Sequence, residues 1–248
     1  MKQLLSAVII TKNEATRIAA TVKALQWCDE IIVVDSGSTD GTVDICRQLG
    51  CQVHDHAFEN YGKQKHYAVS LAKNDWVLVV DADEIVTPEL ATEISTLLSN
   101  GKLPHNGYKI KISLVFLGRL LRFGGEYNMA HTRLFNKQYG QYNNDEVHED
   151  VVLKGDSPVL QNRMLHYSYE NLHDYFEKFN RYTTLAAQQM KNRKPKSAFF
   201  MYIKFPATFI QVYFFKGLIL DGYPGFIWAL LGSLYPVVKY AKHRESKQ

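Results

Sequence analysis

The chain has 248 residues, 46% hydrophobic and 22% charged, long enough to bury a core and unlike a disordered or fibrous composition. Its formal charge of +4 hides a split: from residue 191 onward ten Lys or Arg stand against two acids, and the rest of the chain is net acidic. Cys28, Cys46 and Cys51 lack C-x-x-C spacing, which argues against a disulfide framework or zinc ribbon and fits reduced thiols in a cytosolic protein.

"LLSAVIIT" predicts a strand, and residues 14–25 a helix with Ile18, Val22 and Leu25 on one stripe. The apolar start is too short, and too poor in cleavage signals, for a secretory leader to be expected. "EIIVVD" reads as a second strand, apolar on both faces. Asp40 or Thr39 can cap a helix over 42–49, with Gly50 at its end. "CQVHDH" follows as a short strand, then a helix over 63–72, then the strand "WVLVVD"; Pro88 opens another helix in the favoured first-turn position. Strands and helices in alternation predict an α/β, Rossmann-like domain with a mixed, mainly parallel sheet.

Further on, "GYKIKISLVF" alternates like an antiparallel strand, and "HTRLFN" and "VLQNRMLHYSY" read as two more, with the acidic loop "NNDEVHED" between them. Leu172, Tyr175, Phe176, Phe179, Tyr182 and Ala186 have helical spacing. The expected division is a catalytic domain over 1–170 and a helical C-terminal region over 171–248.

"LVVDADE", residues 78–84, drives three apolar residues into three acids within four positions. Strand alternation turns Asp81 and Asp83 to the same side at the carboxyl end of the strand, and Asp35 ends "IIVVD" in a similar position. In open α/β sheets ligands sit beyond such strand ends. Converging carboxylates repel unless a cation compensates; Mg²⁺ or Mn²⁺ takes one or two of them and completes its shell with water and phosphate. A divalent ion holding a diphosphate is therefore expected, with Ala82 small enough to let the ligand lie close. The plainer alternative is a solvated turn, with Glu84 as a helix cap or a supporting group.

"AVIITKNE", "IIVVDSGSTDGT" and "WVLVVDADE", in that order, resemble family 2 glycosyltransferases of the GT-A fold, over about residues 4–170. Within that family the chain resembles bacterial lipopolysaccharide-core β-glucosyltransferases. The resemblance implies an inverting hexosyl transfer from a UDP-sugar. It places Thr11, Asn13 and Glu14 at the base and ribose, Asp35 at the uracil with Ser36 and Gly37 beside it, and Asp83 on the metal with Asp81 near ribose or metal. Asn13 and Glu14 can equally start a helix, and Asp40 can be only a cap. Lys65 resembles a residue that faces the diphosphate, although a solvated helix face explains it equally well. The segment "VHED" resembles the family's acidic motif, with Glu149 as the base that accepts the acceptor's proton and Asp150 as runner-up. His166, ahead of His148, is the expected histidine ligand to the metal. Arg119, Arg122 and Arg133 can meet acceptor phosphates or be ordinary surface charge. Glu126 follows Gly124 and Gly125 where the relatives commonly carry an aromatic residue, which leaves the acceptor sugar open.

The tail is aromatic, basic and interrupted by prolines, and its longest uncharged run, residues 222–238, is short of a bilayer span. It is expected to lie on an anionic membrane and bring the enzyme to a lipid-linked saccharide acceptor, lipopolysaccharide inner core on the cytoplasmic leaflet. Packing on the core or a homo-oligomer interface is the alternative. Nucleic acid is not an expected partner, because no zinc-finger, RNA-stacking or helix-turn-helix signature accompanies the charge. Two rival functions stand beside the transferase. One is a Mg²⁺-dependent phosphatase of the haloacid dehalogenase type, which wants Thr or Val where this chain has Ile85. The other is a non-catalytic membrane-surface scaffold.

Overall fold

The computed structural model describes residues 2–247 apart from 100, 102, 144–149, 193 and 195. In chain order the first elements are β1 (Leu5–Thr11), α1 (Ile18–Lys23), β2 (Glu30–Asp35), α2 (Thr42–Gln48), β3 (Gln52–Asp55) and α3 (Tyr61–Leu71). Next come β4 (Trp76–Asp81), β5 (Glu84–Val86), α4 (Pro88–Ser99), β6 (Gly107–Phe116) and β7 (Arg119–Leu120). β8 (Met129–Asn136), β9 (Gly140–Tyr142), β10 (Val151–Leu153) and β11 (Val159–His166) precede the helices α5 (Leu172–Gln189), α6 (Ala198–Ile210) and α7 (Gly222–Glu245). Two compact units result, Met1–Ile112 with Asn128–His166 and Ser113–Tyr127 with Tyr167–Gln248. A segment from mid-chain thus belongs with the C-terminal helices, so the division is not the linear one expected at residue 170.

In the first unit, β1 pairs in parallel with β2 and β4, and β2 with β3. The sheet order is β3-β2-β1-β4-β8-β6-β11-β5, with antiparallel strands on the far side of β4. Alternation along the parallel strands sends side chains into two cores. Ala7, Ile9, Val33, Leu78 and Val80 pack with Ile18 and Val22 of α1, Cys46 of α2 and Leu90 and Ile94 of α4. Val8, Ile32, Val34, Val77 and Val79 pack on the other face with Ala68 and Val69 of α3 and with Tyr142 and Val151 of the β9–β10 hairpin. Burial on both faces explains why these strands read as continuous apolar runs. α1 is shorter than its periodicity suggests, because residues 13–17 form turns bonded to the loop after β2.

In the second unit, Leu114, Phe116 and Leu121 pack with Tyr175, Phe179, Trp228 and Leu231. α6 and α7 each contain a proline, Pro206 and Pro236, without ending there. The stretch Leu218–Glu245 is consequently long and apolar enough to cross a membrane by length and composition, which the interrupted sequence did not suggest.

Candidate active site

Three parallel strands end together. Thr11 of β1 stands opposite Asp35 of β2, and Ile10 opposite Asp81 of β4, so the polar residues that close each apolar run share one edge of the sheet. Thr11 Oγ1 is buried and finds no hydrogen-bond partner among the described residues.

Asp35 is almost fully buried. Its Oδ2 accepts from the backbone N–H of Gly37 and Ser38 at 2.9 and 2.8 Å, and its Oδ1 from Ser38 Oγ at 2.5 Å. Gly37 has a φ of +84°, a conformation that L side chains rarely adopt, and that curl wraps the loop around the carboxylate. Ser36 donates its N–H to Thr11 O, and its Oγ accepts from Gln64 Nε2. Asn13, also at positive φ, accepts from Thr39 N–H and donates its own N–H to Ser38 Oγ. Glu14 donates its N–H to Thr42 Oγ1 and pairs with Arg17 at 2.8 Å. Asp40 is more than a cap: it accepts from Thr42 N–H on one oxygen and from Ala15 N–H on the other. The two loops that follow β1 and β2 are thereby stitched into one wall.

β4 ends at Asp81, and Ala82 and Asp83 form the turn into β5, so simple alternation does not carry through to Asp83 as the sequence argument assumed. Ala82 is buried, and its carbonyl accepts from Thr21 Oγ1 at 2.8 Å. Glu84 is neither a cap nor solvated. It is buried in β5, and its Oε2 accepts the N–H of Asp81. One guanidinium nitrogen of Arg133, on β8, donates to Asp81 Oδ2 and to Glu84 Oε1, both at 2.8 Å. Lys65 approaches Asp81 Oδ1 at 3.1 Å and lies 5.9 Å from the centre of the Tyr142 ring. Arg133 and Lys65 are both buried, which corrects the surface roles open to them in sequence.

The charges follow. Burial pushes the Asp81 carboxyl up, but Arg133 and Lys65 outweigh it and hold the group well below the usual carboxylate range. Burial dominates at Glu84, whose pKa is raised despite Arg133. Burial opposes the charge of Lys65, yet Asp81 outweighs it and its pKa is raised.

Beyond this network His166, the last residue of β11, stands opposite Glu84 across an antiparallel pair and brings Nε2 to 3.2 Å from Asp83 Oδ2. Burial lowers the imidazole pKa and the Asp83 hydrogen bond raises it, with a net rise. An oxygen and a nitrogen donor at this spacing can share one divalent ion, and no group of three or more such donors occurs among the described residues. Of the two candidate bases, Glu149 lies outside the described residues, as does His148. Asp150 is exposed beside β10; its N–H bonds Asn143 Oδ1, and its charge reaches His131 on β8, which also feels Arg133, Lys65 and Asp81. Sequence reasoning missed Gln64 and Tyr142 as parts of this site and put Arg133 at the acceptor or the surface rather than against Asp81 and Glu84. The signal for Arg133 was only that a lone cation interrupts an apolar strand.

The family model described as "Glycosyl transferase family 2" matches residues 6–151, which takes in the ends of β1, β2 and β4 and stops short of His166. The chain belongs to glycosyl transferase family 2. It is 33% identical over 255 residues to an uncharacterized glycosyltransferase of Rickettsia felis, covering 98% of this chain and 90% of that one. It is also 28% identical over 246 residues to the lipopolysaccharide core biosynthesis glycosyltransferase LpsC of Rhizobium meliloti, covering 96% and 91%. Among solved structures, glucosyl-3-phosphoglycerate synthase from Mycobacterium tuberculosis, in complex with Mn²⁺, UDP and glucosyl-3-phosphoglycerate, aligns at 23% identity over 46% of this chain and 44% of that one, with a TM-score of 0.38. This family 2 member is thus a glycosyltransferase with a GT-A-type α/β sheet, and the haloacid dehalogenase alternative falls away.

Proposed function

We propose that this glycosyltransferase moves a hexose, glucose in the first instance, from a UDP-sugar to a saccharide hydroxyl of a lipid-linked acceptor, the lipopolysaccharide inner core, with inversion at the anomeric carbon. The observation that carries this reading is the shared edge where Thr11, Asp35 and Asp81 end three neighbouring strands, with Asp83 and His166 paired just beyond. The similarity to LpsC supports the class of acceptor.

In this reading the loops after β1 and β2 receive the nucleoside, and the unpartnered Thr11 Oγ1 supplies one of its contacts. Asp83 and His166 hold a divalent ion; Asp81 is positioned beside them by Lys65 and Arg133. Such an ion, when bound, neutralises charge building on the diphosphate. The acceptor oxygen forms its bond to C1 in line with the departing diphosphate, the electron pair of the breaking C1–O bond leaves with UDP, and the acceptor's proton passes to the carboxylate of Glu149 or Asp150. A positioned base of this kind contributes roughly 10²–10⁴-fold. The basic C-terminal region keeps the enzyme peripheral on the inner face of the cytoplasmic membrane, where a lipid-linked acceptor is made.

The test is transfer. UDP-glucose, UDP-galactose and UDP-N-acetylglucosamine are each incubated with purified inner-core lipopolysaccharide and Mn²⁺, and the product is read by mass and by proton NMR of the new anomeric centre. A β-linked hexose from UDP-glucose is expected. Transfer with retention, or none to any saccharide acceptor while a simple aryl phosphate is hydrolysed, overturns the proposal.

A further inference from the structure

The turn that joins the π-helical end of α6 (Gln211–Phe215) to α7 carries a patch of apolar side chains facing water. Phe215 is 84% exposed, Tyr223 68% and Leu220 62%, and Phe214, Ile219 and Phe123 are also exposed. The patch is held in place rather than frayed. The buried carboxylate of Asp221 accepts from the N–H groups of Arg122 and Phe123 at 3.0–3.1 Å, and Gly124 N–H donates to Lys216 O at 2.9 Å. Phe123 lies against Gly217, and Leu218 fills the space over Gly124 so closely that a Cβ there would come within 2.8 Å.

The rim is cationic. Arg119, Arg122 and Lys216 are exposed around the patch, Arg119 donates to Leu220 O, and the one acid within residues 113–125 and 211–225 is the buried Asp221; Glu126 follows on the next turn. We infer that this rigid aromatic turn is the element that enters an anionic phospholipid leaflet, its rings among the acyl chains and its three cations at the headgroups, while α7 does not cross the bilayer. The inference rests on the peripheral-membrane part of the proposed function and is independent of the transfer chemistry.

α7 is long enough to span, but its partners argue against it. Its residues Gly225, Ala229, Leu231, Ser233 and His243 are buried, and Lys242 Nζ is bonded to Asn180 O, Asn180 Oδ1, Thr183 Oγ1 and Thr184 Oγ1 of α5. α5 also carries Glu177, Lys178 and Arg181, so α7 cannot enter hydrocarbon along its length without drawing those charges in. A second copy of the chain is a poorer occupant, because two-fold pairing of the patch sets the three cations of each copy against their counterparts.

The full-length protein is floated with vesicles of phosphatidylcholine alone and of phosphatidylcholine with one-quarter phosphatidylglycerol. Wild type is expected to float with the anionic vesicles only, and less so at high salt. Phe215→Ser with Leu220→Ser should weaken binding at least tenfold. Arg119→Gln with Arg122→Gln and Lys216→Gln should weaken it about a hundredfold at low salt. Phe176→Ser, on α5, should change nothing. Folding of each variant is checked by thermal shift with UDP-glucose and Mn²⁺, a readout that needs no membrane. Wild type that ignores anionic vesicles overturns the membrane reading and leaves the transferase standing. Undiminished binding by the turn variants overturns the assignment of the turn. Membranes that keep the protein through alkaline carbonate mean that α7 spans, and a dimer lost in the turn variants means a second copy covers the patch; either result overturns the inference.

Discussion

Arg133 donates from a single nitrogen to Asp81 and Glu84; Glu84 is buried with it and Asp81 is partly buried. Removing one partner of such a cluster leaves uncompensated charge, at about 3–5 kcal/mol. Arg133→Met is therefore expected to lower unfolding stability by that amount in urea. Arg133→Lys should recover only part of it, since one ammonium lacks the planar fork. An Arg133→Met protein as stable as wild type would show that the cluster does not hold the strand ends. Asp35 and Asp81 were legible in sequence because each terminates a long apolar run, a pattern that locates a strand's end without knowledge of its neighbours. Arg133 was not, because its partner Asp81 is 52 residues away and nothing within "HTRLFN" distinguishes a buried cation from a surface one.

Among the elements, β2 is tied at its start by Glu30, whose carboxylate accepts from Ser6 Oγ at 2.6 Å, Gln52 Nε2 at 3.0 Å and Lys73 N–H at 2.9 Å. Burial raises this carboxyl pKa, but the bonds from Ser6, Lys73 and Gln52 outweigh it, and the net value is below the ordinary 4.5. A depressed folded pKa gives stability that is complete above that ordinary value and is lost as pH falls through the lower, folded one. Glu30→Gln should cost about 1.5–3 kcal/mol near neutrality and flatten the decline of the urea midpoint between about pH 5 and pH 3. An equal decline in both proteins would exclude Glu30 as a source of acid sensitivity. The parallel half of the sheet could be read from sequence because strand and helix periods alternate there. The length of the last helix was not legible, because Pro206 and Pro236 look like breaks, yet α6 and α7 run through them.

At the scale of the whole molecule, Ser113–Tyr127 joins the C-terminal helices rather than the sheet-bearing unit. No local signal in the sequence marks that exchange, since "SLVF" simply continues an alternating strand and the apolar cover it needs comes from Tyr175, Trp228 and Leu231. A chain cut after residue 170 would keep Leu114, Phe116 and Leu121 but lose that cover. It is expected to aggregate or to bind a hydrophobic dye more strongly than the full chain. A soluble, dye-silent fragment would mean that the segment does not depend on the helices.

The proposed function requires Asp83 and His166, beside the strand ends, to hold the ion that anchors a UDP-sugar. Thermal-shift titration of the full chain with UDP-glucose, with and without Mn²⁺, tests it most directly. At 100 times the dissociation constant the ligand should add about 2.7 kcal/mol of stability. The predicted result is a large upward shift in wild type that requires Mn²⁺ and is nearly abolished in Asp83→Ala. A shift of equal size without the metal, or one that Asp83→Ala leaves intact, would contradict the account.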